Sequence, residues 1–254
     1  MSLVPAVVLA APGTNRDIDV AHALTLAGAS VTIMPLAEVS NRVLREARIA
    51  VVAGGFSFAD ALGSGRLFAL ELTKRLGDSL TTFVADRRPV LGICNGFQTL
   101  VRAGLLPGPT GMAALGHNAQ GRFECRWVTL QAELASPCLW TSGITDELLC
   151  PIAHGEGRFH ADTETLARLE ANGQVALRYR RPDGSAADGE FPFNPNGSDG
   201  DIAGICDPTG VVLGLMPHPE DHVLNRQHPR WTRGEKSGSC RTLFANGVQH
   251  AKEL

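Results

Sequence analysis

PVLGICNGFQTLVRAG, residues 89–104, sets a short apolar run against a G-x-C-x-G turn and follows the turn with a helical run. An apolar run this short, without alternation, marks a strand buried on both faces. The turn from it into a helix, with Cys94 flanked by Gly92 and Gly96, is the cysteine counterpart of the G-x-S-x-G nucleophile elbow. A turn this sharp strains the backbone at residue 94 and needs small neighbours. It lifts the thiol above the carboxyl end of the strand, where the positive end of the next helix favours thiolate. A buried structural cysteine beside turn glycines has the same spacing, so the pattern alone leaves both readings open.

Similar apolar runs precede it: PAVVLAA at 5–11, SVTIM at 30–34 and IAVVAGG at 49–55. Helical stretches lie between them, at 17–27 and 64–80. Strand and helix in alternation predict right-handed crossovers and a mostly parallel open sheet flanked by helices, an α/β fold. After about residue 105 the pattern changes. FECRWVTLQ at 123–131, CPIAH at 150–154 and VALRYR at 175–180 read as strands without long intervening helices, an antiparallel addition to the sheet. Residues 181–201 read as an exposed loop, rich in glycine and turn signals. IAGICD and VVLGLMP form a hairpin around Pro208-Thr209-Gly210, and a helix over 239–252 carries Cys240, Leu243, Phe244, Val248 and Ala251 on one face.

The 254 residues, 44% hydrophobic and 19% charged, suit an ordinary globular protein, and the length suits one large domain over residues 1–254. The net charge of −3 and the absence of any Lys/Arg run give no electrostatic support for a nucleic-acid or anionic-membrane partner. MSLVPAVVLAAPG has no basic start and is broken by Pro5 and Pro12, so it reads as a first buried strand and not a signal peptide. A cytoplasmic protein is expected. Its six cysteines, with no C-x-x-C pair, are expected reduced and mostly buried.

A cysteine nucleophile needs a base, and Met216-Pro217-His218-Pro219-Glu220 ends the strand VVLGL. Pro219 is expected to hold the segment extended, with Glu220 orienting His218 and His218 polarising the thiol. A solvated surface loop is the bland alternative. Against it stands the joint placement of Cys94 and His218, each just past the carboxyl end of a strand, where open α/β sheets build their sites. Gly54-Gly55 after IAVVA can bring backbone N–H groups close to a substrate and, with the Asn95 amide, form an oxyanion hole. No phosphate-loop pattern is present, and a tight turn with no binding role is the bland alternative. His218 with His222, and His154 with Glu156 and His160, lack the spacing of known metal sites, and no metal is expected.

With Cys94, His218 and Glu220 in that chain order, the sequence resembles the class I, triad-type glutamine amidotransferases. Within them it is similar to the glutaminase components of phosphoribosylformylglycinamidine synthases. The likeness runs through PGTNRD at 12–17, GGFSFAD at 54–60, GICNGFQ at 92–98, NAQGRFECRW at 118–127, PIAHGEGRF at 151–159, NPNGS at 194–198 and MPHPE at 216–220. It implies a flavodoxin-like amidotransferase architecture. It also implies Cys94 as nucleophile, His218 as general base and acid, Glu220 as its orienter, Gly55 and Asn95 as oxyanion amides and Gln98 as a substrate contact. The 154–158 segment resembles a family loop near the site. Phe58-Ala59 departs from the family, which more often has an aromatic followed by Gly, and the 221–238 segment looks longer than in compact members.

The resemblance further implies that L-glutamine is hydrolysed and its ammonia passed to a separate synthetase subunit, in some members through a small bridging subunit. ATP and Mg then belong to that synthetase, and no cofactor is expected in this chain. A peptidase or other amidohydrolase on the same elbow, and a silent regulatory subunit, are the competing readings.

Overall fold

The computed structural model describes residues 3–108 and 112–254. The expected alternation is present, with one short helix, α2, added where none was expected: β1 (Val4–Ala10), α1 (Asp17–Leu26), β2 (Ala29–Pro35), α2 (Asn41–Glu46), β3 (Ile49–Val52), α3 (Arg66–Ala85), β4 (Val90–Ile93) and α4 (Asn95–Arg102). Every residue of β3 and β4 is buried, as two-sided burial requires. α3 packs through Phe68, Leu72, Leu76, Leu80 and Phe83, spaced three or four apart so that they share one helix face.

The second half supplies β5 (Ala113–His117), β6 (Glu124–Ala132), β7 (Leu148–His154), β8 (Glu156–Ala161), α5 (Thr163–Ala171), β9 (Val175–Arg180), β10 (Ile202–Cys206), β11 (Val212–Leu215) and α6 (Arg241–Glu253). The nine-stranded sheet has the order β2-β1-β3-β4-β11-β10-β9-β6-β7. Its first five strands are parallel and the rest antiparallel. Parallel order 2-1-3-4 followed by one more strand is flavodoxin-like, except that the fifth strand comes from the end of the chain. β10 and β11 form the expected hairpin, and α6 buries Leu243, Phe244, Val248 and Ala251 as expected.

Four local expectations change. α5 stands between β8 and β9, where no long helix was expected; its sign was Asp162, whose carboxylate accepts from Thr165 N at 2.7 Å as an N-cap. The 154–158 segment is mostly strand, because β7 and β8 meet across Gly155 alone, and β8 pairs with β5 in a separate two-stranded sheet. Residues 181–201 are not simply an exposed loop. Ala187, Asn194, Asn196 and Ser198 are buried, and their side-chain amides and hydroxyl replace the missing strand ladder. Lastly, Pro219 opens a 3₁₀ turn over Pro219–His222 instead of holding it extended, since proline suits the first helical position.

No helix among the described residues is long and apolar enough to cross a membrane. All six cysteines are free, and only Cys125 is exposed.

Candidate active site

Three neighbouring strands end at one place. Val52 of β3 is in register with Gly92 of β4, and Ile93 of β4 with Leu215 of β11. The residues that follow, Gly54, Cys94 and His218, therefore emerge side by side at the carboxyl edge. A Cβ on Gly54 would lie 3.0 Å from His218 Cε1 and 3.4 Å from Cys94 Cβ, so one small residue separates β3 from both.

The elbow has the strain its pattern implies. Cys94 has φ 51° and ψ −108°, a conformation that costs an L-residue on the order of 1–3 kcal/mol and persists only when its surroundings enforce it. Gly92 and Gly96 permit the turn by close approach. A Cβ on Gly92 would meet Leu100 Cδ1 at 2.5 Å, and one on Gly96 would overlap the Val52 carbonyl. Cys94 N donates to Leu215 O at 2.8 Å, which ties the elbow to β11. The Asn95 amide opens α4 and belongs to the N–H groups a helix leaves without an internal acceptor.

His218 and Glu220 form a buried pair, with His218 Nδ1 2.7 Å from Glu220 Oε1. Pro151 O accepts from His218 N at 2.8 Å, so the edge strand β7 helps hold the imidazole. Burial opposes charge on His218, but the Glu220 carboxylate and the Cys94 sulfur outweigh it and hold its pKa well above the ordinary histidine value. A protonated imidazole facing a sulfur is the state that activates a thiol. Behind them, burial and the Glu220 charge push Asp221 up to about 6, against Arg16 at 3.5 Å. Among the described residues, His218, Glu220 and Asp221 are the His/acid group with ligand atoms within 4.8 Å of one another. A cation there would have to break the His218–Glu220 hydrogen bond. His160 instead faces Asp199 at 2.7 Å.

The glycine loop is clamped from both sides. Gly55, at φ 133°, abuts Asn15 N and Thr14 Cα, which would lie 2.6 and 3.0 Å from a Cβ, and this contact gives the PGTNRD stretch its place. Asn95 Nδ2 donates to Asp60 Oδ1 at 2.9 Å, and Ser57 Oγ donates to Asn95 Oδ1. Between these anchors Phe58, Ala59 and Asp60 all have φ of 52–54°. Glycine after the aromatic, the more usual family residue, is the residue for that backbone, and Ala59 carries it at a cost. Ala59→Gly is expected to raise stability by about 0.5–1 kcal/mol, less than the full relief of strain because glycine gains freedom in the unfolded chain. Denaturant unfolding checks this, and a destabilised variant would contradict the left-handed geometry.

Gln98 has both ends of its amide engaged. Nε2 donates to Glu156 O at 2.5 Å, and Oε1 accepts from Asn95 Nδ2 at 3.3 Å. It thereby fastens the start of β8 onto α4.

Spacing gave no sign of the wall that closes the other side. Asn118 Nδ2 donates to Arg122 O at 2.9 Å and to His154 O at 2.8 Å, while Asn196 Nδ2 donates to Gly157 O at 2.8 Å. Phe159 N donates to Ser198 Oγ at 3.0 Å. The NAQGRF, HGEGRF and NPNGS stretches are thus one hydrogen-bonded unit. Phe56, next to Gly55, and Phe123 of the wall are both exposed and stack with centroids 6.3 Å apart. The 221–238 segment covers the back of the His218–Glu220 pair. His222 and His228 are buried against Trp127 with ring centroids 5.2 and 5.7 Å away, and Gln227 Nε2 donates to Glu220 O at 3.5 Å.

The chain has known relatives. A family model for CobB/CobQ-like glutamine amidotransferase domains matches residues 4–251. The chain is 46% identical to phosphoribosylformylglycinamidine synthase subunit PurQ of Treponema denticola, over 96% of this chain and 98% of that one. It is 39% identical to the subunit of the same name from Dehalococcoides mccartyi, over the whole of both chains. Among solved structures, a chain of PurLQS from Thermotoga maritima superposes with a TM-score of 0.76 at 28% identity, covering 98% of this chain and 99% of that one. A family match over almost the whole length leaves one conclusion: the chain belongs to the CobB/CobQ-like glutamine amidotransferase family.

Proposed function

We propose that this chain is the glutaminase subunit of a phosphoribosylformylglycinamidine synthase, acting as one amidotransferase domain over residues 1–254 in the cytoplasm. It hydrolyses L-glutamine to glutamate and ammonia. The ammonia goes to a separate synthetase subunit, which uses ATP and Mg to convert formylglycinamide ribonucleotide to its amidine, with a small third subunit bridging the two. The names of the relatives support the overall reaction, and the likeness to a chain of PurLQS from Thermotoga maritima supports the three-part assembly. The observation that carries the chemistry is the convergence of Cys94 and the buried His218–Glu220 pair around Gly54.

In this reading the Cys94 thiolate attacks the side-chain amide carbon of glutamine, forming a C–S bond and moving the carbonyl electron pair onto oxygen. The N–H groups of Gly55 and Asn95 hold that oxyanion. Collapse of the intermediate breaks the C–N bond as His218 gives its proton to the departing nitrogen. Water, losing a proton to the same imidazole, then attacks the γ-glutamyl thioester and releases glutamate and the thiolate. Glu220 keeps the proton on Nδ1 and the ring in place. Gln98 holds the substrate through the turn it anchors.

The test is covalent labelling by a glutamine-mimicking electrophile such as diazo-oxo-norleucine, mapped by peptide mass spectrometry with excess glutamine as competitor. A single glutamine-protected adduct on Cys94 is expected. No adduct on Cys94, alone or with the synthetase subunit present, would overturn the mechanism in favour of a silent subunit, and labelling that peptides but not glutamine prevent would favour a peptidase.

A further inference from the structure

Arg16 and Asp221 lie behind the His218–Glu220 pair, and the mechanism gives neither a part. Asp221 follows Glu220 on the 3₁₀ turn, and its backbone N donates to His218 O at 3.3 Å. A carboxylate oxygen of Asp221, one of Glu220 and a ring nitrogen of His218 all lie within 4.8 Å of one another. The imidazole thus has two carboxylates beside it. A negative charge at that distance favours the imidazolium over the neutral ring.

Two acids this close, and largely out of water, need a cation. Glu220 is buried and its Oε2 has no hydrogen-bond partner, so its carboxylate is held through Oε1 and the His218 ring. Arg16, which opens α1, is placed to supply the charge. Its Nη1 lies 3.5 Å from Asp221 Oδ1 and 3.2 Å from Asp19 Oδ2, and Glu220 is within its field. Thr14 and Asn15 of the PGTNRD stretch meet Gly55, while Arg16 of the same stretch reaches behind the pair. One segment therefore touches both the glycine loop and the turn that carries His218.

We propose that Asp221 is a positioning residue for the reaction and that Arg16 holds it: the ion pair keeps a second negative charge against His218 and so supports the imidazolium that activates Cys94 and gives its proton to the leaving nitrogen. This inference rests on the glutaminase reading and deepens it. The other groups around the turn leave the role to Asp221. On α1, the Asp19 carboxylate is engaged by Arg16. On β7, burial and the neighbouring Cys240 push the Cys150 thiol well up, and burial with the nearby His218 holds His154 neutral, its pKa down to about 3. His222, on the turn itself, has its pKa lowered by burial, with His228 beyond it. At the start of α6, Cys240 meets the turn through its N–H, which donates to His222 O at 2.8 Å. Burial and Glu220 push Asp221 up to about 6, while His218 and Arg16 pull it down. Asp221 is therefore charged above that pH, which includes the range where His218 loses its proton.

The experiment is the pH profile of kcat/KM for glutamine in the assembled complex, set against the profile with ammonium, which carries the synthetase's own titrations. The basic limb specific to glutamine reports loss of the His218 proton. Asp221→Asn keeps the side chain's size and an oxygen for Arg16 but removes the charge. It is expected to move that limb down by at least about half a pH unit. Arg16→Gln removes the opposing charge while Asp221 stays ionised at the pH of the limb, so the limb is expected to move up. Arg16→Lys should leave it close to wild type. The position of a limb does not depend on how much of a variant is folded, so a partial loss of protein leaves the reading intact. A merely structural tie would lower the whole profile and leave the limb in place. An unmoved limb in Asp221→Asn or Arg16→Gln, or shifts of both in one direction, would overturn the role of the ion pair and leave the glutaminase reading standing. A wild-type complex that uses ammonium but not glutamine would overturn both.

Discussion

Cys94→Ser is expected to lower the glutamine-dependent activity of the assembled synthase by at least about 10³-fold while leaving its activity with added ammonium salt close to wild type. Serine is nearly the same size, so the elbow at φ 51° and the contact with Gly54 survive the exchange. What is lost is a nucleophile that ionises easily. A hydroxyl has no comparable anion at neutral pH, and His218, whose protonated form the Glu220 carboxylate still favours, is poorly suited to act as its base. Ammonium supplies the nitrogen directly and bypasses the site. Steady-state assays with the two nitrogen sources, alongside a thermal melt of the variant, check the outcome. Unchanged turnover with glutamine would remove Cys94 from the chemistry, and loss with both sources would point to a damaged assembly.

Gly96→Ala is expected to destabilise the fold by about 3 kcal/mol or more, since the added carbon would be driven into the Val52 carbonyl and backbone cannot swing aside as a side chain does. For a chain of this length that is a fall in Tm of roughly 6–12 °C. Gly77→Ala in α3 is the control. A Cβ there finds Thr73 Cγ2 at an ordinary 3.8 Å, and alanine is the better helix former, so its Tm should hold or rise. Equal Tm values for the two variants would show that α4 does not approach β3 as closely as the elbow requires.

The parallel half of the fold was legible because its signals are local. Two-sided burial makes β1, β3 and β4 continuous apolar runs, and an elbow between two glycines admits few backbones. The antiparallel half was less so. α5 is short and announced mainly by its Asp162 cap, and β5 and β8 form a small sheet whose pairing joins residues 39 to 48 positions apart. Residues 181–201 looked exposed because they are rich in glycine, proline and polar residues; the buried amides of Asn194 and Asn196 are satisfied by nearby backbone and side chains, a possibility that composition does not encode.

The sequence by itself determined the class of sheet, the strained turn at Cys94 and the pairing of His218 with Glu220, because each depends on residues within a few positions of one another. Tertiary structure alone decided that β11, from the far end of the chain, lies beside β4 and carries His218 to Cys94. It also decided that Gly54 needs to be small on account of both. Strand order and the partner of a buried polar atom are properties of chain segments far apart in sequence, and they arise only when the sheet closes around its core.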